Sequence, residues 1–146
     1  MIILIALLTL AHARKTQQIT IKSQENLKIA FGSCYGKTGI TSEIFDSIEA
    51  DVFIWLGDAS YTSYPTKYPF IESYRLPTPQ HVESRFNETK NAPSYQRLLK
   101  RSKIIGVWDD HDYGKNDAGS EFIGKNQQRQ LYLNFLDEPR DSDRYT

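Results

Sequence analysis

Three carboxylates and one imidazole stand in four consecutive residues, Asp109-Asp110-His111-Asp112, directly behind an apolar stretch that ends at Trp108. Like charges held that close raise one another's pKa unless a cation compensates. Carboxylate oxygens and imidazole nitrogens are donors that divalent and trivalent metals take. The run therefore points to a metal-binding edge, against the plainer alternative of a solvated acidic loop with a chance histidine. An EF-hand does not account for it. With Gly114 as the sixth loop position the odd positions are Asp109, His111 and Tyr113; with Gly119 they are Gly114, Asn116 and Ala118. A calcium loop needs acids there.

Two other positions could join that edge. Asp58 follows the apolar run Val52-Phe-Ile-Trp-Leu56 and Gly57, where a metal or phosphate would sit, although a helix cap or turn is an equal reading. Cys34, the single cysteine, follows Phe31-Gly-Ser. A lone cysteine excludes a disulfide framework. Its ordinary fate is a small buried hydrophobe, but a thiolate at a strand end can also be a metal ligand. A rival motif overlaps it: Gly32-Ser-Cys-Tyr-Gly36-Lys37-Thr38 resembles a nucleotide-binding P-loop, with Asp58 as its magnesium ligand. Only three residues separate the glycines, where the motif needs four. His12 and His81 carry no comparable signal.

These positions need elements to bring them together. Leu27 to Phe31, Asp51 to Gly57 and Lys103 to Trp108 read as strands, the second buried on both faces. Ile40, Ile44 and Ile48 recur every four residues with Phe45 alongside, which predicts a helix capped by Thr41 or Ser42 with Glu43 in its first turn. Residues 59–81 hold four prolines and read as a long aromatic-rich loop. Pro93 opens a second helix with Tyr95, Leu98 and Leu99 on one face. Asp109 to Ser120 reads as loop, and a last helix runs from about Gly124 to Asp137, barred by Pro139. Strands alternating with helices make an α/β domain, in which sites form at the carboxyl ends of strands. Cys34, Asp58 and Asp110 each follow such an end.

The bulk composition is permissive. The chain has 146 residues, with 18 Lys+Arg against 18 Asp+Glu. One domain with one core fits that length, and zero net charge gives no footprint for nucleic acid. Met1 to Ala11 is apolar apart from Thr9, and Ala11-His12-Ala13 then precedes Arg14-Lys15. That pattern predicts a signal peptide over 1–13, although no Lys or Arg precedes the apolar run. A polar lead-in follows over 14–26. The apolar run is about half the ~20 residues a membrane span needs. Asn87-Glu88-Thr89 is a glycosylation sequon, consistent with a secreted protein.

Phe31-Gly-Ser-Cys34, Trp55-Leu-Gly-Asp-Ala-Ser-Tyr61 and Gly106-Val-Trp-Asp-Asp-His-Asp-Tyr-Gly-Lys-Asn-Asp117 together resemble the alkaline phosphatase D (PhoD-like) metallophosphoesterases. Phe135-Leu-Asp-Glu-Pro139 is similar to the eukaryotic branch of that family. The resemblance spans residues 27–139. It implies the first half of a four-layer α/β/β/α sandwich, with the N-terminal part of the catalytic domain over 27–146. It implies hydrolysis of phosphate monoesters or diesters by metal-activated water, with iron(III) and calcium. It implies Cys34, Asp58, Tyr61 and Asp110 as metal ligands and His111 as the catalytic histidine. Asp109 and Asp112 are then expected to orient the loop or support the ligands from behind. The family's pattern continues with further histidine-bearing motifs, whereas no histidine follows His111 here. A non-catalytic, secreted metal-binding remnant is therefore the alternative to an enzyme whose site is completed by a second half.

Overall fold

A computed structural model describes residues 26–36, 43–63 and 76–146. The signal peptide, the lead-in up to residue 25, Ile40 and the two candidate caps Thr41 and Ser42 lie outside the described residues. So do Lys37, Thr38 and the middle of the aromatic loop, residues 64–75.

Three strands form the sheet: β1 (Ile29–Gly32), β2 (Val52–Leu56) and β3 (Lys103–Val107). All pair parallel in the order β1-β2-β3. Mixed helix and parallel strand is the α/β class the sequence predicts. The helices are α1 (Pro79–Lys90), α2 (Pro93–Arg101), α3 (Asp110–Tyr113) and α4 (Lys125–Phe135).

One face of the sheet holds the core. Phe53, Trp55 and Ile104 from the strands meet Val82 and Phe86 of α1, Tyr95 and Leu98 of α2, and Tyr132 and Phe135 of α4. Trp55 sits at its centre, 1% exposed. Its register partners are Gly32 on one side and Gly106 on the other. A Cβ on Gly106 would lie 2.6 Å from Trp55 Cβ and 2.9 Å from Tyr132 Oη. The indole therefore needs glycine beside it. Rings fill the rest of the layer: Phe135 stacks on Tyr95 and on Phe86, and Phe45 meets Trp55 edge-on.

The other face is different. Ile29, Phe31, Leu56 and Val107 are 53%, 69%, 48% and 57% exposed, and Ile54 and Ile105 are half-buried. The expectation that β2 is buried on both faces is thus met only on the helix side and at Val52. The physical reason is that no described element packs over the second face.

Three local readings also change. The predicted helix around Ile44 is, over the described residues, a 3-10 helix Ile44–Ser47. Phe45 is its buried residue, edge-on against Phe53, Trp55 and Tyr95, and Ile44 is exposed. The polar stretch after residue 78 is helix α1, not loop. Thr78 caps it by accepting from His81 N, and Pro79 occupies the first turn, where its missing N–H costs nothing. Val82, Phe86 and Thr89 line its buried side. Finally, the loop after β3 begins with the single turn α3.

Trp55 Nε1 donates to Tyr95 Oη at 3.0 Å in this core. Tyr95→Phe removes the acceptor and leaves a buried indole N–H unpaired. It is expected to cost about 1–3 kcal/mol in equilibrium denaturation without loss of helix content by circular dichroism; an unchanged midpoint would show that the bond does not support the core.

Candidate metal centre

Parallel pairing places the three strand exits at one edge of the sheet, and backbone bonds then draw the following loops together. After β1, Cys34 takes a left-handed φ of 57°, and Tyr35 N donates to Asp58 O at 2.9 Å. After β2, Gly57 (φ 100°) and Asp58 (φ 50°) are both left-handed. A Cβ on Gly57 would stand 2.5 Å from Asp109 Cβ, so glycine is required both for its backbone angle and for the approach of the loop after β3. Non-glycine residues held at positive φ cost energy and cluster at functional sites; two of the four described here, Cys34 and Asp58, are residues singled out from sequence.

After β3, Asp109 and Asp112 form a reciprocal capping box on α3. Asp109 is exposed, and its Oδ1 accepts from Asp110 N at 2.9 Å. Asp112 is buried, and its carboxylate accepts from Asp58 N at 2.8 Å, Asp109 N at 3.0 Å and Ser60 N at 3.3 Å. Burial pushes its pKa up to about 7, against the lowering effect of those three amides. Thr62 ties the same turn from another direction, Oγ1 donating to His111 O at 2.6 Å. Helix α1 braces the loop after β2: Arg85 Nε donates to Tyr61 O, and Thr89 Oγ1 to Ala59 O.

The side chains converge on this scaffold. One donor atom each of Asp58, Asp110 and His111 lie within 4.8 Å of one another. Cys34 is exposed, and its Sγ donates to Asp58 Oδ2 at 3.6 Å. The Tyr61 ring lies against the His111 ring, centroids 4.2 Å apart. Burial and the nearby carboxylates and thiol push the Tyr61 hydroxyl up to about 12. Asp58 is also raised, first by burial and then by Asp110 and Asp109, with His111 opposing. Two buried atoms, Asp58 Oδ1 and His111 Nδ1, have no hydrogen-bond partner among the described residues. Buried polar atoms are ordinarily paired, and a cation would satisfy both and reverse the carboxylate repulsion. The donor set therefore fits a metal.

Five residues picked out by sequence thus meet at one edge: Cys34, Asp58, Tyr61, Asp110 and His111. Asp109 caps the turn at that edge and Asp112 is buried behind it. Asn87 is exposed on α1, where Thr89 of the same sequon has its hydroxyl buried against Ala59 O. The phosphate-loop reading loses ground, because Tyr35 N and Gly36 N are already bonded to Asp58 O and Cys34 O rather than free for a phosphate. Sequence reasoning missed Ser60, Thr62 and Arg85, and also the Asp117 amide that donates to Asp110 Oδ2. The spacing Asp109-x-x-Asp112 was a capping-box signal that could have revealed the turn.

No family model and no characterised protein sequence matches the chain. Among solved structures, one titled "Structure of PhoD" matches with a TM-score of 0.55 and 17% identity, over 73% of this chain and 24% of that one. The likeness is one of fold, and the chain spans about a quarter of that structure's length.

Gly57→Ala tests the geometry. The strained φ and the Asp109 contact are expected to lower stability by about 1–3 kcal/mol, read as a drop in thermal midpoint that Gly36→Ala, with an ordinary 3.8 Å neighbour, does not reproduce.

Proposed function

We propose that this chain is the N-terminal part of a metal-dependent phosphoesterase of the PhoD-like kind, hydrolysing phosphate monoesters or diesters. The observation that supports it most is the meeting of Asp58, Asp110 and His111 within 4.8 Å, beside Cys34 and Tyr61, on a backbone similar in fold to PhoD. Asp58, Asp110, Cys34 and Tyr61 would hold the metal ions. A thiolate and a phenolate suit iron(III), and the carboxylates also suit calcium. When bound, the ions supply Lewis acidity to the phosphoryl group and lower the pKa of a water.

The residues contribute the rest. Asp58 and Asp110 fix negative charge at one edge, held by backbone bonds rather than by flexible reach. His111 has its ring against Tyr61 and its carbonyl bonded by Thr62; with one nitrogen toward the metal, its other nitrogen, when protonated, would donate to a phosphoryl oxygen or a departing alkoxide.

The sheet face that no described element covers supports the reading that the site is completed by further polypeptide. Parallel sheets are ordinarily covered on both faces. Here Phe31, Ile54 and Ile105 lie in one register row and Leu56 and Val107 two rows on, on the same face, a surface suited to a second sheet. A second sheet there would make the four-layer sandwich that the resemblance implies, with this chain as its first half. The signal-peptide pattern over 1–13 supports secretion; no helix among the described residues is long and apolar enough to cross a membrane.

Asp110→Asn and His111→Ala in the full-length gene product are expected to cut phosphodiesterase or phosphomonoesterase turnover by about 10²–10⁴-fold. Metal analysis of Cys34→Ser should show loss of iron. Near-normal rates in both site variants would overturn the assignment, and a wild type that holds metal but turns over no phosphate ester would favour a metal-binding remnant.

A further inference from the structure

We propose that Asp112 is the positioning residue of this centre: its carboxylate clamps the loop after β2 to the turn after β3 and so sets the spacing between Asp58 and the Asp110–His111 pair. The inference rests on the metal-centre reading for its consequence, but its geometry stands on its own. Oδ2 accepts from both Asp58 N and Asp109 N, at 2.8 and 3.0 Å, and Oδ1 accepts from Ser60 N at 3.3 Å. Two of these amides belong to the exit of β2 and one to the exit of β3. The residue is 1% exposed, so no water competes for the three donors.

The clamp acts where the backbone is least willing. Asp58 holds a left-handed φ of 50°, and its N–H is the group bonded at 2.8 Å. Releasing that bond frees Asp58 toward ordinary angles, which turns its carboxylate away from Asp110. Asp109, the other acid of the capping box, cannot substitute, because its side chain faces solvent and bonds only locally. Both oxygens of Asp112 face donors. An amide at this position would set its own N–H₂ against an N–H, so a neutral isostere cannot make all three bonds. The Thr62 bonds to His111 O do not involve Asp112, and they keep α3 attached when the clamp is lost.

Asp112→Ala in the full chain removes both acceptor oxygens and releases all three amides, whereas Asp112→Asn keeps one oxygen and loses only part of the clamp; the Ala variant is the test. Amide hydrogen exchange in the metal-free protein is expected to accelerate roughly tenfold or more at Asp58, Ser60 and Asp109, with Phe53 and Trp55 unchanged. Cobalt(II), followed by its thiolate charge-transfer band, is expected to bind about 10- to 100-fold more weakly, with a displaced band and an unchanged circular-dichroism spectrum. Unchanged exchange at the three amides, or wild-type cobalt affinity, overturns the proposal. If the wild type binds no cobalt, the metal reading fails, and the exchange data alone decide the clamp. If the variant does not fold, the wild-type amides decide: exchange as slow as in β2 supports the clamp, and exchange at the rate of an open loop overturns it.

Discussion

The structure depends on the in-register parallel pairing of β2 with both neighbours. Parallel strands send all their carboxyl ends to the same edge, so residues far apart in sequence exit side by side. Trp55 locks that register. It lies between Gly32 and Gly106, and a side chain at Gly106 would collide with it. A slip of one residue on either side would put Phe31 or Ile105 beside the indole and turn the strand's faces over. With the row Gly32–Trp55–Gly106 fixed, Cys34, Asp58 and Asp109 fall two or three residues beyond it. The core and the candidate centre are therefore consequences of one packing choice.

That dependence explains what could be read from the residues alone. The strands were legible because Val-Phe-Ile-Trp-Leu and Ile-Ile-Gly-Val carry their own propensity, and α2 and α4 because apolar spacing and proline mark them. Helix α1 was not, since only Val82, Phe86 and Thr89 face inward and charged residues dilute the pattern. The 3-10 turn at Ile44–Ser47 deceived for the opposite reason: three isoleucines spaced four apart resemble a helical face, yet Phe45 is what the sheet buries.

The centre shows the same division. Cys34, Asp58, Asp110 and His111 were visible by type and by their place after strands, and Tyr61 only through the family resemblance. Ser60, Thr62 and Arg85 were not, because they act through backbone atoms, and a sequence does not say which amide meets which oxygen. Asp109 and Asp112 look equivalent as letters. Burial separates them: one faces water and one accepts three amides in the interior. The exposure of Cys34 is likewise a tertiary fact, arising from its left-handed backbone just past the end of β1.

The uneven sheet also carries a timetable. Its helix side can close once α4 has been made, since every buried ring on that side lies at or before Leu136. Its other side leaves Ile29, Phe31, Leu56 and Val107 exposed among the described residues. Apolar rows that no described element covers are the kind of surface that sticks to its own kind. Handled as an isolated unit, the chain is thus expected to be limited by self-association rather than by the strength of its core.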